Sequence, residues 1–172
     1  MHSRDPILTT RVATAADAEA VHGLLVQLSR VVHEAHLYTG TPEKLVNRGL
    51  GGNSVFTVLL LESKGKIVGM SLFYPEFSSW RCSTGVYVQD IVVDESFRGG
   101  GGGKVLLEAV IRYALLYWNA SYMKLAVHSD NREAQNFYEK HGFQTDLGSQ
   151  VMLLEADGFA RLRDSYEQRL HR

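Results

Sequence analysis

The sequence predicts an α/β protein with one mixed sheet, in which antiparallel N-terminal strands precede a β-α-β-α-β order. Residues 55–62 and 67–75 are apolar runs on either side of a polar stretch, which is typical of a β-hairpin. The second half alternates strand-like runs with segments of helical periodicity. No repeat or linker interrupts the 172 residues. We therefore expect a single domain over 1–172, with its core at about 7–155.

The first third of the chain predicts a strand, a long helix and a short one. Residues 7–13 form a strand-like run. Thr14 and Asp17 are spaced as in a capping box, and apolar residues then recur at helical spacing to about residue 32. After a break at 33–40, a proline in the first turn predicts a short helix over 42–50.

The middle of the chain predicts a buried strand followed by an amphipathic helix. Residues 77–85 are predicted to be a loop, and 85–93 form a strand rich in β-branched residues. A run of glycines follows. After it, one helical stripe contains Leu106, Ala109, Val110, Tyr113 and Tyr117.

The C-terminal part predicts two more helices and three strands. Residues 123–127 form a strand, and a helix of about 132–141 is expected to end at Gly142. Residues 143–146 and 150–155 read as closing strands. A polar terminal helix is predicted over about 157–171.

The composition excludes several classes of function. A formal net charge of −1 gives no reason to expect a nucleic-acid partner. Cys82 is the only cysteine, so no internal disulfide is possible and a reducing cytoplasm is expected. No apolar run approaches the roughly 20 residues that span a bilayer, so no membrane association is expected.

Five consecutive glycines, Gly99, Gly100, Gly101, Gly102 and Gly103, lie between the buried strand and the amphipathic helix. A flexible linker does not fit, because both flanks are ordered patterns of one domain. A P-loop needs glycine at the position of Arg98 and Ser or Thr at the position of Val105. A dinucleotide fingerprint needs glycines at i, i+2 and i+5, and the run is one residue too short.

The remaining interpretation of the glycines is a strand-to-helix turn that binds an anion. The first N–H groups of a helix have no partner within it and carry the positive end of the helix dipole. A pyrophosphate reaches them only where no Cβ intervenes. Arg98 and Lys104 bracket the run with positive charge. The glycines therefore indicate a phosphate cradle.

Three segments resemble the GNAT superfamily of N-acetyltransferases. The turn from Val93 to Gly103 is similar to that family's Arg-x-x-Gly-x-Gly pyrophosphate turn. Residues 131–143 are similar to its Asn-x-x-Ala-x-x-Phe-Tyr-x-x-x-Gly-Phe helix, and 11–18 to its usual opening. The resemblance covers nearly the whole chain and implies the GNAT-like acyl-CoA N-acyltransferase fold.

Within that superfamily, the middle of the chain looks closest to the diamine, spermidine/spermine-like acetyltransferases. Residues 77–80 and 85–93 resemble their aromatic loop and their Tyr-Leu-Glu-Asp strand. Gln89 stands where the subgroup has a glutamate, whereas the aspartate is present as Asp90. A second departure is Ser129-Asp130, where the subgroup usually has an acidic residue and Trp.

The resemblance implies acetyl-CoA as the donor. Its pyrophosphate would lie on the five glycines beside Arg98 and Lys104. Its pantetheine would run along a splayed strand, and Tyr138 would donate a proton to the thiolate leaving group. An amide of that strand would also polarise the thioester carbonyl. The implied cofactor-binding residues, beyond the glycines and the two cations, are Ile91, Val92, Val93, Asn131, Ala134 and Tyr138.

Asp90 is the second predicted catalytic residue, because it is ionisable within an apolar strand. It would remove the amine proton or attract a cationic acceptor; the alternative is a carboxylate paired with a nearby basic or amide group. Alternation along the strand places Gln89 on the opposite face, where it would orient substrate or water. Trp80, Glu76 and Tyr38 would line an acceptor pocket, with ordinary loop packing as the alternative.

The resemblance thus implies transfer of acetyl from acetyl-CoA to a small-molecule primary amine, with a diamine or polyamine favoured. Alternative acceptors are an amino acid analogue, an aminoglycoside, or a protein N-terminus or lysine. A non-catalytic acyl-CoA-binding domain is the alternative of another class. His33 and His36 lack a third ligand at matching spacing, so no metal is expected. The resemblance implies a homodimer.

Overall fold

The computed structural model describes residues 7–52, 54–148 and 150–170, which form two compact units. The first unit ends at Asn131 and holds a sheet with three helices. The second begins at Arg132 and holds two helices. No helix in the described ranges is both long and apolar enough to cross a membrane. The mixed α/β architecture agrees with the predicted fold class.

One mixed sheet of five strands lies in the first unit, with its strands in chain order. The first four strands are antiparallel to their neighbours, and the fifth runs parallel to the fourth. The predicted hairpin is confirmed as the second and third strands. The strands are β1 Leu8–Val12, β2 Thr57–Ser63, β3 Lys66–Ser78, β4 Ser83–Val93 and β5 Met123–Leu125.

The loop predicted over 77–85 is wrong in its length. β3 and β4 pair as far as Ser78 and Ser83, so only a four-residue turn at 79–82 joins them. The polar and aromatic composition of this stretch suggested a loop. Backbone pairing in an antiparallel ladder does not depend on side-chain polarity, so the hairpin continues to its tip.

Three helices pack on the sheet. α1, Ala18–Val31, follows a 3₁₀ turn at Ala15–Asp17, where Asp17 Oδ2 accepts a hydrogen bond from the Thr14 N–H at 2.8 Å, as the capping-box prediction required. α2, Pro42–Leu45, continues into a π-helical turn at Val46–Leu50. α3, Gly102–Trp118, begins within the glycine run.

The sheet is covered on both faces, and β2 shows the alternation. Leu60 packs with Val21 and Leu25 of α1, whereas Leu59 and Leu61 pack against the side that α3 covers. We call these the α1 face and the α3 face of the sheet. Because β2 is buried on both faces, it reads as a continuous apolar run.

The second unit contains α4, Arg132–Lys140, and α5, Ala156–Leu170. Gly142 has a φ of 88° and follows the end of α4, as predicted. The closing strands predicted over 143–146 and 150–155 are absent from the described part of this segment. An apolar run forms a strand only where its backbone groups meet a partner strand, and the side chains of Val151 and Met152 are exposed here.

Candidate active site

A β-bulge in β4 shapes the centre of the sheet. Phe73 pairs with Val88 and Leu72 pairs with Asp90, so Gln89 has no residue opposite it on β3. Phe73 and Val88 pack on the α3 face, whereas Leu72 packs on the α1 face. Directly paired residues share a face, so the bulge turns Asp90 toward the α1 face.

The prediction that Gln89 and Asp90 face opposite sides is wrong. The hydroxyl of Tyr74, which alternation places on the α1 face, donates a hydrogen bond to Gln89 Oε1 at 3.2 Å. The same tyrosine has its pKa raised by burial, by neighbouring Tyr87 and Glu76, and by the charge of Asp90. An extra residue at a bulge breaks the two-residue period, so both side chains reach one face.

The carboxylate of Asp90 lies partly buried and has no partner among the described residues. Within the described ranges, no residue forms an ion pair or a hydrogen bond with it, and burial raises its pKa to about 6. Its own backbone carbonyl accepts a hydrogen bond from the buried Ser71 hydroxyl at 3.1 Å, which anchors the bulge. The structural alternative of a paired carboxylate is therefore not observed.

Tyrosines surround Asp90 on the α1 face. Burial raises the pKa of Tyr38, and the charge of Asp90 raises it further, so the phenol stays protonated. Its hydroxyl lies 3.1 Å from Nδ1 of His22. Tyr74 and Tyr87 stack with their ring centroids 5.3 Å apart. A carboxylate beside aromatic rings is a favourable site for an ammonium group.

The glycine run forms a tight turn into α3. β4 ends just before Asp94, whose Oδ1 accepts a hydrogen bond from the Ser96 N–H at 2.9 Å. Gly99 and Gly101 have φ angles of 76° and 81°, a region that residues with a Cβ rarely adopt. Nothing lies within 4 Å of the Cβ that either glycine lacks, so the turn opens to its surroundings.

The N-terminus of α3 has backbone donors and no side-chain cap. Gly101 occupies the cap position and supplies no side-chain acceptor. Gly102 packs so closely that a Cβ would lie 2.9 Å from Leu61 Cδ2 and 3.2 Å from Val93 Cγ1. The helix therefore begins directly against the sheet, and its first N–H groups have no partner within the helix. This geometry fits the diphosphate of a cofactor.

The two cations beside the glycine run are both exposed. Arg98 Nε donates a hydrogen bond to the Val93 carbonyl at 3.3 Å, which holds the arginine at the end of β4. Lys104 Nζ lies 3.5 Å from Glu108 on the surface of α3. Exposed pairs of this kind contribute little free energy, so both cations remain free to turn toward an anion.

The edge of β4 next to β5 is only partly paired. The β4–β5 pairing ends at Val88 and Leu125. Beyond it, the Asp94 N–H donates to the Val68 carbonyl at 2.8 Å on the β3 side. Alternation therefore turns the N–H groups of Ile91 and Val93 to the other edge, where β5 no longer runs. By the same alternation, Val92 has its N–H toward β3, and its side chain is buried.

The hairpin tip lies away from Asp90. Trp80 is 99% exposed in the turn between β3 and β4. Ser78 ends β3 beside this turn. It lies six residues from Leu72, which pairs with Asp90 across the strands, or about 20 Å at the rise of a strand. Within this chain, the structure does not bring Trp80 together with Asp90.

Glu76 belongs to the same α1 face but already has partners. Its carboxylate accepts a hydrogen bond from the Tyr122 hydroxyl at 3.1 Å and forms an ion pair with Lys124 at 3.1 Å. The guanidinium of Arg81 lies 4.6 Å from the centre of the Tyr122 ring. Glu76 thus takes part in a charged cluster within this chain.

Tyr138 is a buried residue of α4 in the second unit. Its ring makes edge contacts with Phe137 and Phe143, with centroids 5.2 and 5.4 Å away. Burial raises its pKa to about 12, so the phenol is protonated at neutral pH. Ala134 lies one turn earlier on the same helix. Asn131 ends the first unit, and its N–H donates to the His128 carbonyl at 3.0 Å.

Sequence reasoning missed three residues of this face, namely His22, Tyr74 and Tyr87. They lie in segments that read as ordinary helix and strand. The alternation of Tyr74 with Glu76 was the available signal, because both had to share one face of β3. For His33 and His36, the described residues contain no group of three or more His, Cys, Asp or Glu side chains able to hold a metal.

Comparisons with known proteins agree on one family. Residues 26–143 match the Acetyltransferase (GNAT) family. The chain is 29% identical over 161 residues to a thialysine N-epsilon-acetyltransferase of Mus musculus, with 89% of each chain covered. It is 26% identical over 99 residues to a spermine/spermidine N(1)-acetyltransferase of Bacillus subtilis (strain 168), covering 54% of this chain and 65% of the relative.

A solved structure has the same fold. An integron cassette protein from the mobile metagenome of V. cholerae superposes with a TM-score of 0.74 at 20% identity. The superposition covers 91% of this chain and 97% of the other.

Proposed function

The chain belongs to the acetyltransferase (GNAT) family, and we propose that it transfers the acetyl group of acetyl-CoA directly to a primary amine of a small diamine or polyamine. The observation that carries this acceptor class is the unpartnered Asp90 carboxylate, which shares the α1 face with Tyr38 and Tyr74. A buried negative charge beside aromatic rings attracts an ammonium group and disfavours an anionic one.

We assign donor binding to the backbone at the C-terminal end of β4 and at the start of α3. The uncapped start of α3 takes the diphosphate, with Arg98 and Lys104 beside it. The N–H groups of Ile91 and Val93 lie on the edge of β4 beyond the end of its pairing with β5, and they take the pantetheine. Bound acetyl-CoA supplies an acetyl thioester whose carbonyl carbon the amine attacks.

Asp90 and Tyr138 are assigned the two proton transfers. An alkyl ammonium has a pKa near 10.4 and must lose a proton before its nitrogen can attack. Asp90 takes this proton, directly or through water, and its raised pKa makes it a better base than an exposed aspartate. As the carbon–nitrogen bond forms and the carbon–sulfur bond breaks, the protonated Tyr138 would donate its proton to the departing thiolate, and the second proton lost by the acylated nitrogen would restore the phenol.

A second candidate acceptor is an amino acid with a side-chain amine. The mouse relative, matched over 89% of both chains, is named a thialysine N-epsilon-acetyltransferase. Such an acceptor presents the same terminal ammonium to Asp90.

An acceptor screen with detection of released thiol tests the proposed function. Putrescine, spermidine, ornithine, an aminoglycoside and a lysine-containing peptide are offered with acetyl-CoA at equal concentrations. We expect turnover with putrescine, spermidine or ornithine. Turnover confined to the aminoglycoside or the peptide would contradict the proposed acceptor class.

The Tyr138→Phe variant tests the proton donor. We expect turnover to fall at least tenfold, about 1.4 kcal/mol of transition-state stabilisation, with CoA affinity nearly kept. Tyr117→Phe on the exposed side of α3 is the matched control and should keep full activity. Unchanged turnover in Tyr138→Phe would remove this residue from the chemistry.

A further inference from the structure

The charged cluster beyond Tyr87 has no role in the chemistry assigned above. It consists of Glu76, Arg81, Tyr122 and Lys124, and we call it the rim cluster. Its contacts are the Glu76–Lys124 ion pair at 3.1 Å, the Tyr122–Glu76 hydrogen bond at 3.1 Å and the Arg81–Tyr122 ring contact at 4.6 Å. The rim cluster thus contains two cations and one carboxylate, so its net charge is positive.

The rim cluster and Asp90 lie on one face of the sheet. Tyr87 pairs with Tyr74 on one side and with Lys124 on the other. Tyr74 in turn donates its hydrogen bond to Gln89, the neighbour of Asp90. Paired residues share a face, so a continuous polar and aromatic strip runs from Asp90 across the stacked tyrosines to Lys124.

The strip carries opposite charges at its two ends. Asp90 is an unpartnered carboxylate, whereas Lys124 and Arg81 provide positive charge at the rim. Three residues of β4 separate Asp90 from Tyr87, or about 10 Å at the rise of a strand. A short aliphatic molecule with an ammonium at one end and a carboxylate at the other matches this charge order. A molecule that has an ammonium but no carboxylate at this end makes no contact with the rim cations.

Lys124 is able to leave Glu76 for a ligand at little cost. Its side chain is 57% exposed and that of Glu76 is 24% exposed. Exposed ion pairs contribute at most about 1 kcal/mol, and an ammonium has three donors that it can share between two carboxylates. Glu76, in contrast, keeps its hydrogen bond from Tyr122 and remains available to an α-ammonium group.

We propose that the rim cluster is a carboxylate-binding subsite, so that among small diamines the preferred acceptor is a diamino acid, which adds a carboxylate to its two amines. This inference rests on the proposed function. The side-chain ammonium lies at Asp90, where it is acetylated. The carboxylate lies on Lys124 with Arg81 nearby, and the α-ammonium lies toward Glu76.

Ornithine and putrescine form a matched pair for the test, since they differ only in the carboxylate. For the parent enzyme we expect kcat/KM for ornithine to exceed that for putrescine at least tenfold. Lys124→Gln should raise KM for ornithine at least tenfold, with kcat nearly unchanged and putrescine turnover unaffected or improved. Lys124→Arg keeps the charge and should restore most of the ornithine affinity. Lys66→Gln, an exposed lysine at the start of β3, should behave like the parent.

Isothermal titration of the CoA-loaded protein with each amine separates the two proposals. Ornithine binding that depends on Lys124 supports the subsite even if neither amine turns over, in which case the proposed acetylation fails alone. Equal use of putrescine and ornithine, or an equal loss of both in Lys124→Gln, overturns the subsite and leaves the proposed function standing. A thermal midpoint of Lys124→Gln equal to that of the parent confirms that the variant is folded.

Discussion

At the residue scale, Asp90 is held in a state that is unfavourable for folding and useful for binding. A carboxylate that is partly buried without a hydrogen bond or a cation loses solvation and gains nothing within the described chain. Its pKa of about 6 lies above the 3.8 of an ordinary aspartate. Such strain is typical of a functional site, because an incoming cation supplies the missing partner.

The Asp90→Asn variant should lose activity and gain stability. A folded pKa above the unfolded pKa means that ionisation disfavours the folded state. The advantage of the variant should therefore be absent below about pH 4, grow up to about pH 6 and stay constant above it, at about 3 kcal/mol at most. Urea unfolding at several pH values measures the effect.

The activity of the parent should depend on the ionisation of Asp90. If Asp90 acts as an anion, kcat/KM of the parent falls as the pH drops below about 6. The remaining activity of Asp90→Asn should not show this fall. Glu19→Gln on the exposed side of α1 is the control, since it removes a carboxylate that is not buried. A stability of Asp90→Asn at pH 8 equal to that of the parent would contradict the unpartnered carboxylate.

At the element scale, the glycine run sets the start of α3. Two of its glycines have positive φ, and a third, Gly102, lies against Leu61 and Val93. These three glycines thus lack a side chain for different reasons. Backbone conformation requires Gly99 and Gly101, whereas helix-to-sheet packing requires Gly102.

Gly101→Ala and Gly100→Ala form a matched pair on this element. Alanine at position 101 must adopt a φ near 81°, which we expect to cost about 1 kcal/mol of folding free energy. Alanine at position 100 needs no positive φ and meets only the Phe97 carbonyl at 3.4 Å. Denaturant unfolding should therefore show a clear loss for Gly101→Ala and a smaller one for Gly100→Ala. Equal losses would contradict the left-handed turn.

At the scale of the whole molecule, acetyl-CoA should stabilise the folded chain. A ligand at 100 times its dissociation constant adds about 2.7 kcal/mol, which for a chain of this size raises the thermal midpoint by about 5–10 °C. Acetylpantetheine, which lacks the diphosphate, should give a much smaller shift at the same concentration. Arg98→Glu should reduce the shift with acetyl-CoA. An equal shift with both compounds would show that the glycine turn does not bind the diphosphate.

Some properties of the whole molecule stay predictions. The homodimer is implied by the resemblance, and the cytoplasmic location rests on the single cysteine. The single domain expected over residues 1–172 is also a prediction. Family membership, in contrast, is shown by the match over residues 26–143.

The sequence by itself determined most of the elements and the family. Periodicity placed α1, α3, α4 and the strands β1 to β5, since apolar spacing follows directly from burial on a sheet or helix. Glycine spacing predicted the strand-to-helix turn before α3, because the backbone conformation there depends on local residues. The closing strands failed, because a strand requires a partner that local sequence does not supply.

Only the tertiary structure decided which side chains share the α1 face with Asp90. The bulge at Gln89 is set by the register between β3 and β4, and the residues of β4 alone do not predict it. It alone turns Gln89 and Asp90 to one side and joins them to Tyr74. The cluster of Glu76 with Lys124 brings together residues 48 positions apart in the chain. Such contacts arise from pairing between distant strands, which single-sequence patterns do not encode.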